Sequence, residues 1–307
     1  MRQLIYNGKK VFPFFEKTSY FLCLLFLLSA PTFCQPPKVL VVVAHPDDET
    51  AMSVAIYKIT HEQKGIVDQA VITNGEGGYR YSLLSESYYN LNLTDETVGR
   101  ENLPRIRKTE LMNAGKVIGV RNYYFFDQKD AHYGLNEKEP LDTSWNTAWV
   151  LSRLKELMSV NKYDFVFCLL PDSSTHGGHK AATILALTAA VSLKERPVVL
   201  GVTGSEKTDL KQRSFTGLTG RPITNISRGA PSFSVDRTVS FGFKNALNYK
   251  VIANWEIAEH KSQGTMQLYM NRGDQEDYWL FDANDGNAFQ KGKQFFDLLN
   301  SKTPETK

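Results

Sequence analysis

Apolar residues fall in two alternating arrangements along this chain. Unbroken apolar runs recur in KVLVVVA (38–44), DQAVITN (68–74), NYYFFD (122–127), DFVFCLL (164–170) and PVVLGV (197–202). Between them lie stretches with a helical period: Thr50 to Glu62, RKTELMNAGKVIGV (107–120), TAWVLSRLKELMSV (147–160) and HKAATILALTAAVSL (179–193). A strand that is apolar at consecutive positions is dry on both faces. Strands of that kind separated by helices pair in parallel, with helices covering both sides. The expected fold class is α/β: a doubly wound, mostly parallel, Rossmann-like sheet.

From about Gly204 to Asn248 the pattern shifts to Ser, Thr, Gly and Arg with short alternation, as in RTVSFGF (237–243), which predicts a β-rich excursion toward the C-terminal part. Helical spacing returns in KVIANWEIAEHKSQ (250–263) and AFQKGKQFFDLLN (288–300). No repeat, low-complexity run or linker divides residues 35–301, so one domain is expected there, followed by a loose tail over 302–307.

Residues 1–34 read differently. Arg2, Lys9, Lys10 and Lys17 precede the apolar run YFLCLLFLLSA (20–30), and PTFCQPPK then breaks it. A charged start, a short apolar run and a break are the marks of a secretory signal peptide. The run is about half the roughly 20 residues that a spanning helix needs. Cleavage is expected near Gln35, leaving an exported chain, periplasmic or extracellular, without a stable membrane span.

Charge follows the same division. Of 36 basic and 33 acidic residues, four and one fall in the leader, leaving 32 of each sign in the rest. A formally neutral chain offers no basic patch for nucleic acid or an anionic membrane surface. Cys23 and Cys34 leave with the leader, so Cys168 stands alone in an apolar run and disulfides do not hold this fold.

The chemistry gathers where two strands end. His45, Pro46, Asp47, Asp48 and Glu49 follow the first strand, at the sheet edge where ligands of such folds bind. One Asp there would be an ordinary helix cap, but two Asp, a His and a Glu exceed that need. After another strand, His176 and His179 stand three apart across Gly177 and Gly178. Taken with His45 and Asp48, two imidazoles and one carboxylate make a zinc site with an open position, suited to hydrolysis by activated water. Asp47 is then left as a base. Iron(II) or cobalt could occupy the same ligands.

AHPDDE (44–49) with HGGH (176–179) resembles the PIG-L (LmbE-like) family of zinc-dependent de-N-acetylases. TNGEGG (73–78), the Arg107 to Glu110 spacing in RKTEL, and EHKSQ (259–263) extend the resemblance. It implies one zinc ion on His45, Asp48 and His179, Asp47 as general base, and His176 beside the carbonyl oxygen. It also implies that Glu76, Arg107 and Asp130 contact sugar hydroxyls, and that the substrate is an N-acetylglucosamine-type sugar, glycan or glycoconjugate. SSTHGGH departs from the family pattern in having no acidic residue between the two histidines.

Two other functions fit parts of the pattern. A strand followed by DDET has some likeness to the haloacid-dehalogenase phosphotransfer pattern, which would leave His45, His176 and His179 idle. A secreted carbohydrate-binding protein without catalysis would use Trp145, Trp149, Trp255, Trp279 and Tyr79 to Tyr81 as stacking platforms.

Overall fold

The computed structural model describes residues 35–131, 133–209 and 213–301. The expected leader over 1–34 and tail over 302–307 lie outside the described residues. Strands β1 (Lys38–Val43), β2 (Ile66–Thr73), β3 (Asn122–Gln128), β4 (Phe165–Leu169) and β5 (Val198–Ser205) pair in parallel in the order β3-β2-β1-β4-β5. Each coincides with one of the five apolar runs.

The β-rich excursion contains β6 (Phe233–Asp236), β7 (Ser240–Phe241) and β8 (Leu247–Asn248), of which the last two form a small separate ladder. A further strand, β9 (Gln275–Leu280), lies antiparallel between β5 and β6 and completes a seven-stranded sheet. QEDYWL gives little strand signal because its second residue is a carboxylate. That carboxylate is buried inside the fold: Glu276 accepts the backbone N–H groups of Val54 and Ala55 at 2.8 and 2.9 Å and pairs with Arg237 at 3.0 Å.

Seven α-helices accompany the strands among the described residues. α1 (Ser53–Tyr57) is flanked by a 3-10 turn, Asp48–Met52, and a π turn, Lys58–Glu62. α2 (Glu86–Tyr89), α3 (Glu96–Ile118), α4 (Thr147–Asn161), α5 (Gly177–Val191), α6 (Lys250–Glu259) and α7 (Ala288–Asn300) follow. α3 begins well before the expected helix at Arg107. Its amino end is set by the Asp95 side chain, which accepts Val98 N–H at 3.0 Å, and it runs through Pro104.

One face of the sheet, with Leu40, Val42, Val166 and Cys168, packs on Leu154 of α4 and Leu185 of α5. On the other face Phe165 stacks on Phe295 of α7 with ring centroids 4.3 Å apart. Burying each such side chain contributes about 1.5–3 kcal/mol, so the central strands form the stiff frame on which their terminal loops are mounted. Cys168 is free and buried, as expected. No helix among the described residues is long and apolar enough to cross a membrane.

Candidate metal centre and active site

β1 has β2 on one side and β4 on the other, so the chain winds away from it in both directions and leaves a crevice beyond the carboxyl ends of β1 and β4. Both histidine and aspartate clusters enter that crevice. Asp48 turns back toward the strand: its Oδ2 accepts the N–H groups of Ala44 and His45 at 3.0 and 2.8 Å. Asp47 faces the other way, with Oδ1 3.0 Å from Nη2 of Arg107. Its backbone lies at φ 128°, a conformation rarely adopted outside glycine.

After β4, Asp172 closes a turn by accepting from the Ser174 and Thr175 N–H groups, and His176 occupies the N-cap of α5. His179 lies one turn inside. A Cβ on Gly178 would stand 3.2–3.3 Å from the rings of His176 and His45, so glycine there lets the imidazoles close together. Thr175 Oγ1 lies 2.8 Å from Nδ1 of His179, so a hydroxyl partners that ring nitrogen.

His45, Asp48 and His179 converge tightly. Nε2 of His179 is 3.0 Å from Asp48 Oδ1 and 3.1 Å from His45 Nδ1, and His45 Nδ1 is 3.5 Å from Asp48 Oδ2. Ligands placed 2.0–2.1 Å from a tetrahedral zinc ion are separated by about 3.3 Å, so this donor set fits such an ion. The donors of His45, His176 and His179 also lie within 4.8 Å of one another.

The local field favours a cation. Burial alone would lower the His45 imidazole, but the carboxylates of Asp130 and Asp48 outweigh it and raise it to about 10. Burial pushes Asp48 up, yet His179 and His45 hold it well below the usual carboxylate range. Asp47 differs: burial raises it to about 6 against the opposing pull of Arg107. Two adjacent carboxylates thus have opposite tendencies, one suited to ligation and one to accepting a proton.

Three cavities meet here. A cleft of about 520 Å³ begins at Asp47, Asp48 and His179 and runs along β4 and β5 to Arg213, Tyr269 and Arg272. A pocket of about 240 Å³ lies behind His45, Asp130 and His176, beside Trp145. An opening of about 190 Å³ is framed by Tyr81, Arg107, Tyr133 and Gln263.

The three residues expected at sugar hydroxyls are differently occupied. Arg107 is buried and donates to the carbonyls of Gly75 and Pro46, both at 2.6 Å, besides pairing with Asp47. Asp130 Oδ1 is 3.5 Å from Nε2 of His45, while Oδ2 accepts Gly77 N–H at 3.1 Å. Glu76 Oε1 accepts the Asp130 N–H at 3.1 Å, and its Oε2 is buried without a hydrogen-bond partner. Arg107 and Asp130 do line the opening over the site.

The proposed stacking residues do not assemble into a platform. Trp279 is wholly buried, Trp145 nearly so, Trp149 packs edge-on to Phe126, and Trp255 is exposed on α6. Tyr133 stacks on His176 at 5.1 Å with near-parallel rings, and nothing in the local pattern around either residue marks that contact. Thr175 stands within the second motif, but a lone threonine there reads as an ordinary turn residue. Glu49 and His260 have no sequence-derived role, and they meet 2.8 Å apart although 211 positions separate them.

No curated protein matches the chain. Among solved structures, the 4-carboxy-2-hydroxymuconate hydratase GalB of Pseudomonas putida KT2440 is similar at 15% identity and TM-score 0.50, over 79% of this chain and 95% of that one. The conserved protein TT1542 of Thermus thermophilus is similar at 16% identity and TM-score 0.50, over 80% and 94%. The likeness to these two is one of fold alone. The N,N'-diacetylchitobiose deacetylase of Pyrococcus horikoshii, in complex with its inhibitor MPG, gives 15% identity and TM-score 0.47 over 94% and 86%. Residues 40–190 match the PIG-L family, described as GlcNAc-PI de-N-acetylase, and this span includes both strand ends that build the site. The chain therefore carries a PIG-L family domain over residues 40–190.

Proposed function

We propose that this protein is a zinc-dependent hydrolase that removes the N-acetyl group from an N-acetylglucosamine-type sugar, glycan or glycoconjugate. The observation that carries this reading is the close triangle of His45, Asp48 and His179 with Asp47 beside it but turned to Arg107. The family supports the substrate class. The pattern of residues 1–34 supports export, which puts the substrate outside the cytoplasm.

His45, Asp48 and His179 would hold the metal. Bound there, a zinc ion supplies a Lewis acid that polarises the amide carbonyl and brings water toward a pKa near ~7. Asp47 takes a proton from the attacking water, and Arg107 steadies the carboxylate in the position from which it does so. His176, held against Tyr133, lies on the far side of the site and donates to the developing oxyanion. When the C–N bond breaks, the nitrogen must gain a proton, and Asp47 or His176 returns it. The products are acetate and a free amine, so one water is consumed and no other reactant is needed. A general base at this position is worth roughly 10²–10⁴-fold in rate.

A hydratase shares the fold, so fold does not choose the reaction. The test is acetate release from a panel comprising N-acetylglucosamine, N,N'-diacetylchitobiose and larger N-acetylated glycans, with and without a chelator. Release that stops on chelation and returns with zinc is expected. No release from any member, with zinc bound, would overturn the reading.

A further inference from the structure

Asp47 holds φ 128° and ψ −16°, a strained conformation that persists only where neighbours over-determine it. Its surroundings do so. Arg107 Nη2 donates to the Pro46 carbonyl at 2.6 Å. Thr50 donates to the Asp47 carbonyl through its N–H at 3.2 Å and its hydroxyl at 2.8 Å. The remaining polar group, the Asp47 N–H, donates to Glu49 Oε2 at 3.1 Å.

Glu49 is wholly buried, and a buried carboxylate must be compensated. Gln69 donates to Oε2 at 3.3 Å, and His260 Nε2–H donates to Oε1 at 2.8 Å. His260 arrives from the carboxyl end of α6, beyond the family-matched residues. On its other side Glu256 Oε1 stands 3.6 Å away.

Ser53 joins this cluster: its hydroxyl lies 2.9 Å from both the Thr50 carbonyl and Glu256 Oε2, and that carbonyl also accepts from Arg237 Nη2 at 2.7 Å. Burial pushes the Glu256 carboxyl up to about 7; burial would lower the His260 imidazole, but Glu49 and Glu256 raise it well above its ordinary value.

We propose that His260 is a positioning residue for Asp47, acting through Glu49: the imidazole holds the carboxylate in place, and the carboxylate holds the Asp47 N–H in its strained turn. This rests on Asp47 being the base of the proposed reaction, but the strained turn can be tested without it. The cluster also has the donors for a cation, within 4.8 Å of one another, which makes metal content an informative control.

The experiment compares wild type with His260→Gln, Glu49→Gln and the double variant, all zinc-loaded. In His260→Gln, kcat for acetate release from the best substrate of the panel is expected to fall about 10–100-fold, with KM and the single zinc per chain unchanged, since small misplacements of a reacting group cost up to about 10²-fold. The double variant replaces the ion pair by a neutral amide pair and is expected to recover much of kcat, which a merely structural role would not produce. Crystal structures of wild type and His260→Gln read the same point without substrate: Asp47 φ should relax from the wild-type value. An unchanged φ overturns the proposal, as does an unchanged kcat. A second zinc per chain in wild type, lost in His260→Gln, overturns it in favour of a metal site. Should wild type release no acetate while φ still relaxes, the proposed reaction fails and the positioning of Asp47 stands.

Discussion

Thr175 Oγ1 lies 2.8 Å from Nδ1 of His179, while Nε2 of the same ring faces Asp48 and His45. The hydroxyl oxygen accepts Nδ1–H and so leaves the lone pair of Nε2 toward the ligand triangle. Outer partners of this kind are worth about 10–100-fold in metal affinity. Thr175→Val, which keeps shape and removes the acceptor, should weaken zinc binding by that range, and Thr175→Ser should keep it. Competition with a chromophoric chelator measures both.

The adjacent aspartates should separate cleanly. Asp48 touches both histidines of the triangle, so Asp48→Asn is expected to lose zinc and rate together. Asp47 contacts Arg107 instead, and Asp47→Asn should retain one zinc per chain and lose roughly 10²–10⁴-fold in kcat. Elemental analysis beside turnover decides it, and equal zinc loss in both variants would show that the division of labour is wrong.

Gly75 gives a third test. It sits at φ 69°, and a Cβ there would approach the Arg107 guanidinium to 2.3 Å. Alanine in that conformation costs about 1 kcal/mol in itself. It must also displace the side chain that braces Pro46 and Asp47. Gly75→Ala should therefore reduce kcat well beyond what the change in melting temperature accounts for, with zinc content unaffected. Activity close to wild type would show that Arg107 does not brace the base.

How much of this was legible in sequence depended on range. Strands β1 to β5 were readable because burial on both faces makes each apolar run its own signal. The motifs at 45–49 and 176–179 were readable because a strand end places neighbouring residues at one spot. β9 was not, since Glu276 in its second position looks solvent-facing until Val54, Ala55 and Arg237 arrive from elsewhere to satisfy it. The support of Asp47 was hidden for the same reason. Arg107 and His260 were visible as residues, but their contacts with the first motif join positions 60 and more than 200 apart, and nothing in either local pattern states the partner. Likewise Glu110, noted only for its spacing to Arg107, accepts both the N–H and hydroxyl of Ser262 at 2.7 and 2.5 Å.

The buried cluster behind Asp47 gives the protein a dependence on pH. Glu256 faces Glu49 from the turn after β1, His260 from its own helix end, Ser53 of α1, and Tyr123 of β3, whose phenol burial keeps neutral. Burial raises the Glu256 carboxyl from its ordinary 4.5 to about 7. The folded state thus binds a proton that the unfolded state has released between those values, and the stability this contributes is lost as pH rises through that window. His260 has the same sign: burial would lower it, but Glu49 and Glu256 raise it well above 6.5, so its contribution is complete below 6.5 and fades at higher pH. Glu256→Gln keeps the shape and a polar partner for Ser53 but removes the titration. Its melting temperature should match wild type near pH 5 and exceed it near pH 8, the difference growing by at most about 3 kcal/mol, or roughly 5–10 °C for a domain of this size. Thermal unfolding of both zinc-loaded proteins from pH 5 to pH 8 measures that difference directly, and parallel curves would show that Glu256 is already ionised in the folded protein.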